Sequence, residues 1–146
     1  MRTLIFLFFI ATGTIQAQQI DYNTKNGVAV AGYDVVAYFN NEAVEGNKKH
    51  TTQYDGVTYL FSSEKNRNIF LENPKNYIPQ YGGYCAYAVA VKSKKVSIDP
   101  ETFEIRDGKL YLFYNSWGTN TLELWNEEHP NELKTKADNN WEKIKQ

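Results

Sequence analysis

Apolar and polar positions fall in short blocks along this chain, divided by turn residues rather than by long polar tracts. Val28 to Ala31 and Val35 to Phe39 are apolar runs separated by Gly32-Tyr33-Asp34, and the second reads as a buried strand. Ahead of them, the polar stretch from Gln18 to about Asn26 reads as a loose leading strand, and 40–47 reads as a polar loop. Thr51 to Tyr54 and Val57 to Phe61 flank Asp55-Gly56, a dipeptide that accepts positive φ in a tight turn, so this stretch predicts a hairpin. Ser62-Ser63-Glu64 then marks a helix start: a Ser hydroxyl caps free backbone N–H groups, and Glu64 complements the positive end of the dipole. The helix carries Ile69 and Phe70 inward and stops near Asn73, because Pro74 cannot continue it from within.

Tyr81-Gly82-Gly83 reads as a flexible turn. Tyr84 to Val91 suits either a strand or a helix, and its alanines favour a short helix. A second hairpin is predicted from Phe103 to Arg106, Asp107-Gly108 and Lys109 to Tyr114. Asn120 to Trp125 reads as a short helix, and Pro130 begins or precedes a longer one. Along the longer helix Leu133, Ala137, Trp141 and Ile144 fall on one stripe. The pattern predicts an α+β fold, a small antiparallel sheet with hairpins packed against roughly two to four short helices.

The first residues carry a different pattern. Arg2 is followed by an unbroken apolar run from Leu4 to Ala11, then Gly13, then Ile15-Gln16-Ala17. A basic start, an apolar core and a small residue at the cut predict a signal peptide over 1–17, cleaved after Ala17. The run is shorter than the ~20 residues a membrane span needs, so no stable membrane anchor is expected after cleavage. The expected location is periplasmic or extracellular. No Cys follows the cut to carry a lipid, and 18–146 is a length suited to one domain.

The formal charge is −1, which gives no basic field for nucleic acid. Lys92, Lys94 and Lys95 form the one local basic cluster, a pattern common in solvated loops. The aromatic content is high, with eleven Tyr, eight Phe and three Trp. Tyr buries a ring while keeping its hydroxyl near water or a partner, so these rings suit either a firm core or polar-lined grooves. Cys85 is the one cysteine and excludes an intramolecular disulfide. In an oxidising compartment an unpaired thiol is either buried or used.

GYDVVAYF at 32–39, YDGVTYLFSSEKNRNIF at 54–70, NPKNYIPQ at 73–80 and YGGYCAYAVA at 81–90 together resemble the YHS-domain family. DP at 99–100 and DGKLYLFYN at 107–115 extend the resemblance over most of the chain, as one YHS-like domain with a C-terminal helical extension. The likeness is greatest to the exported branch of YHS domain-containing (seleno)proteins, some of which carry selenocysteine where this chain has Cys85. YHS domains are described as metal-binding and related to zinc- and copper-handling modules, which bind through thiolates after the first strand and in the strand–helix turn. Here Ser62 and Asn66 stand in that turn and GYDV holds no Cys, so a closed tetrahedral Cys site cannot be assembled.

Two candidate chemistries follow. Cys85, after two glycines and ahead of a helix, has the setting in which a dipole and free N–H groups favour a thiolate. It is the candidate catalytic residue for redox chemistry, which would need a partner protein because the chain holds no resolving Cys. It is equally a candidate soft ligand for copper or zinc, with His50 as second ligand. In the other reading Cys85 is a small buried hydrophobe, and the chain is a non-catalytic binding module that uses a Tyr-rich surface. His129 reads as a solvated loop residue. No Ser-His-Asp order, phosphate loop or nucleotide fingerprint is present.

Overall fold

Strands in this protein are joined largely by two-residue turns built on one chemistry. The computed structural model describes residues 19–146, so the predicted signal peptide lies outside the described residues. Asn26-Gly27 joins β1 (Thr24–Lys25) to β2 (Val28–Ala29). Asp55-Gly56 joins β3 (Asn47–Tyr54) to β4 (Val57–Phe61), and Asp107-Gly108 joins β5 (Asp99–Arg106) to β6 (Lys109–Phe113). In each turn both residues hold positive φ, which Gly adopts freely and Asn and Asp tolerate. The same conformation recurs between β7 (Asn115–Ser116) and β8 (Thr119–Asn120), but there the first turn residue is Trp117.

The hairpins form where the pattern predicted them. The first lies in a four-stranded sheet of order β1-β2-β4-β3. A single parallel pairing, Val28 with Thr58, makes that sheet mixed rather than purely antiparallel. The fold is α+β, with four α-helices among the described residues: α1 (Glu64–Glu72), α2 (Ala86–Lys92), α3 (Thr121–Glu127) and α4 (Pro130–Ile144). Ser63 Oγ accepts from Asn66 N at 3.1 Å to cap α1, and Asn120 Oδ1 accepts from Leu122 N at 3.1 Å to cap α3.

One expectation is corrected. Val35 to Phe39 is not a strand; the chain turns there into a 3₁₀ segment, Ala37–Asn40. The cause is Asp34, whose Oδ1 accepts from Val36 N at 2.9 Å and Ala37 N at 3.3 Å and folds the backbone over itself. The burial expected of the run holds, since Val35, Val36, Ala37 and Tyr38 are all in the core.

Strand β6 explains how the rest packs. Its alternate side chains point to opposite faces: Leu110 and Leu112 join the cluster around β4, α1 and residues 29–38, whereas Tyr111 and Phe113 join a second cluster under α2, α3 and α4. A strand covered on both sides reads as a continuous apolar run, which is why Leu-Tyr-Leu-Phe shows no alternation. Phe70 anchors the first cluster, with ring centroids 4.9 Å from Tyr59 and 5.1 Å from Phe61. The predicted stripe on α4 faces the second cluster through Leu133, Ala137 and Trp141.

Residues 20–23 tie the N-terminal end of this region to the second cluster. Asp21 N donates to Lys145 O at 2.9 Å and Asn23 N to Gly82 O at 2.8 Å. The Tyr81-Gly82-Gly83 turn is accordingly buried and pinned, not loose. A Cβ on Gly82 would meet Asp21 O at 2.7 Å and the Trp141 ring at 3.0 Å, so the turn requires glycine for space as well as for its φ of 60°.

Candidate functional site

Cys85 precedes α2 at its N-cap, as the sequence suggested, with its backbone N–H donating to Val96 O at 2.9 Å. Its side chain is 0% exposed. The sulfur lies 3.3 Å from Thr121 Oγ1. Thr121 gives its own proton to Tyr114 O at 2.7 Å, so the hydroxyl is left as an acceptor and the Cys85 S–H is the donor of the pair. Beside them a cavity of about 500 Å³ is lined by Tyr87, Val91, Tyr114 and Leu124, with Cys85 and Thr121 at its inner wall, although Cys85 is fully screened from solvent.

His50 is half-buried on β3. β3 is an edge strand of the four-stranded sheet, and His50 falls where its register with β4 shifts between Asn47 and Thr51. β3 packs on β4 and α1, while α2 beside Cys85 packs on α4, α3 and β6. Among the described residues no group of three or more His, Cys, Asp and Glu side chains is arranged to hold a metal ion. His129 caps α4 in a left-handed conformation and is exposed.

The positions where the resemblance would place thiolates hold a different device. Asp34 is 0% exposed, and both of its oxygens are occupied by donors. Oδ1 takes Val36 N and Ala37 N. Oδ2 takes Ser62 N at 2.8 Å, Ser62 Oγ at 2.7 Å and Asn66 Nδ2 at 2.7 Å. A buried carboxylate with several N–H and O–H donors is a satisfied anion. A cation would need the lone pairs these donors use, and it would face their positive ends. The residues present therefore do not fit a metal at this position. Ser62 and Asn66 serve instead to fasten the start of α1 to the turn at Asp34.

A second concave feature lies at the seam of the two core clusters. It is a groove of about 670 Å³ walled by Tyr22 and Tyr54 on one side and Tyr81 and Trp141 on the other, with Asp55, Asp138, Lys75 and Lys109 along it. Tyr22 donates its hydroxyl to Asp55 Oδ2 at 2.6 Å, and Tyr81 donates to Asp138 Oδ1 at 2.8 Å. Burial first, and then these bonds to carboxylates, push both phenols well above the ordinary tyrosine range. Trp141 lies edge-on to Tyr81 with centroids 6.3 Å apart. On its other flank Lys95 reaches 5.9 Å from the Tyr84 and Trp141 rings and forms a 2.9 Å ion pair with Asp21.

Sequence reasoning noted the tyrosines as possible groove lining but not this seam, because Tyr22 and Trp141 lie at opposite ends of the chain. It placed Asp34 only in the Gly32-Tyr33-Asp34 break between two apolar runs. The turn was legible, but the bonds to Ser62 and Asn66 across 28 and 32 residues were not.

Comparison with known families matches residues 35–81 to the YHS domain. The matched segment runs from Val35 through β3, β4 and α1 to Tyr81, so it contains Ser62 and Asn66 and ends before Cys85. No curated protein and no solved structure matches the chain.

Proposed function

We propose that this chain, built around a YHS-type segment, is an exported binding module that takes a small organic ligand in the groove between Tyr22, Tyr54, Tyr81 and Trp141. One observation carries the reading: in this groove aromatic rings and ionisable carboxylates line the same open space, whereas the Cys85 thiol exposes nothing. Ligand sites are typically concave, with apolar or aromatic walls and a few polar groups that fix orientation. Tyr22 and Tyr81 have given their single protons to Asp55 and Asp138, so toward a ligand these four side chains act as acceptors. They suit a ligand that brings donors, such as an amine, with an apolar body to lie on the rings. Lys75 and Lys109 give a carboxylate on the same ligand a place to pair.

A thermal-shift screen of small amines, amino acids and aromatic zwitterions tests this. Binding compounds should raise the melting temperature of the wild type and of Cys85→Ala equally, and the rise should be lost in Asp138→Asn. If no compound shifts the melt, or the shifts survive Asp138→Asn, the groove is not the site. Export is tested by intact mass of the protein that cells accumulate, where a retained Met1 would contradict cleavage after Ala17.

A second reading is favoured by the cavity over Cys85. If that cavity opens, the thiol becomes available as a soft ligand for copper or zinc, or for a mixed disulfide with a partner's cysteine. Native-state labelling of the thiol separates this reading from the first.

A further inference from the structure

The β7–β8 hairpin ends in Trp117, which is 96% exposed and holds a φ of 52°. The other three two-residue turns place Asn26, Asp55 and Asp107 at the same position. Those side chains tolerate left-handed backbone by bonding locally, which an indole ring does not do. Trp117 is therefore unfavourable twice over, in its backbone and in the large apolar surface it leaves in water. The hairpin around it carries no charge from Tyr114 to Asn120.

Next to this knob is a socket. The cavity of about 500 Å³ over Cys85 is walled by the hairpin's own Thr119, by Tyr114, by Tyr87 and Val91 of α2, and by Leu124 of α3. Val91 is 41% exposed at its mouth. Knob and socket on one face are what a twofold contact between identical chains requires, because the same patch must supply both halves. The charges agree. α2 and the residues after it bear exposed Lys92 and Lys94, and α3 with its C-cap bears exposed Glu123, Glu127 and Glu128. A twofold axis that set the basic end of α2 in one copy against α3 of the other would pair these charges. An anionic lipid surface, by contrast, would meet those glutamates.

We propose that the protein forms a twofold homodimer in which Trp117 of each copy enters the α2–α3 cavity of the other and closes it over Cys85. Burying two indole rings removes roughly 300–500 Å² from water, a substantial part of the ~1,200–2,000 Å² of a stable interface. The hairpins and charged rims supply the remainder. This goes beyond the groove reading and uses none of the groove's residues.

Sedimentation velocity over a concentration series, with the protein in the form cells accumulate, tests it. The wild type is expected to shift from monomer to dimer with rising concentration, and its tryptophan emission to move to shorter wavelength as Trp117 is buried. Trp117→Ser removes the knob and Val91→Glu blocks the socket. Both positions are exposed, so the fold should survive, and each variant should weaken dimerisation by about tenfold or more, as expected for a buried aromatic anchor. A wild type that stays monomeric at every concentration reached, or a dimer that Trp117→Ser leaves unchanged, would overturn the proposal.

Discussion

Cys85 Sγ stands 3.3 Å from Thr121 Oγ1, and Thr121 in turn donates to Tyr114 O at 2.7 Å. The order of these two bonds casts the sulfur as an S–H donor facing the protein interior. Replacing it with Ala removes a small buried group, at a cost of about 1–2 kcal/mol. We expect Cys85→Ala to fold, to melt a few degrees lower and to bind groove ligands as the wild type does. Calorimetry and the ligand-induced thermal shift check both halves, and loss of the ligand response would tie the thiol to function.

Asp34 has a larger structural role than the thiol. Asp34→Asn replaces one acceptor oxygen by an NH₂ group in a shell of donors, leaving at least one buried N–H unsatisfied. A loss of about 3 kcal/mol is expected. Ser62→Ala removes one of five bonds to the carboxylate and should cost about 1 kcal/mol. Urea denaturation measures both, and equal costs for the two variants would contradict the assignment of Asp34 as the hub.

Gly82 is constrained from two sides, by its positive φ and by Asp21 O, which lies 2.7 Å from where a Cβ would stand. Gly82→Ala should destabilise by about 2 kcal/mol or more and loosen the groove wall formed by Tyr81 and Trp141. Hydrogen exchange at Asn23, whose N–H bonds Gly82 O, should quicken. An unchanged rate there would show that the turn is not pinned.

Alkaline pH should unfold the protein from the tyrosines outward. Burial raises Tyr38, Tyr59 and Tyr81, and it brings Tyr111 to about 12. In the unfolded chain these phenols ionise near pH 10. A group that holds its proton more tightly when folded contributes stability that is full below the unfolded value and is lost as pH rises through the folded one. Stability should therefore be steady up to about pH 10 and fall above it. Phenolate absorbance should show the buried set ionising together with loss of circular dichroism. Smooth ionisation of all eleven tyrosines with the fold intact would contradict the packing described.

Much of this fold was legible because its signals are local. Asp55-Gly56 and Asp107-Gly108 declare their turns through backbone conformation alone, and Ser63 and the α4 stripe declare their helices through capping and period. The run at Val35–Phe39 misled because apolar content specifies burial but not backbone shape, and a side chain one residue earlier decided the shape. Trp117-Gly118 gave no turn signal because Trp is not a turn residue. The groove was illegible for a different reason: Tyr22, Tyr54, Tyr81 and Trp141 are joined only by the way the N-terminal segment lies against α4 and the Gly82 turn.

The most direct measurement is alkylation of Cys85 in the native protein, followed by mass against time. If the function lies in the groove and Cys85 is part of the core, the thiol should stay unlabelled until denaturant or heat unfolds the chain, and added copper or zinc should change nothing. Rapid labelling of the folded protein, slowed by either metal, would contradict this and move the site to Cys85.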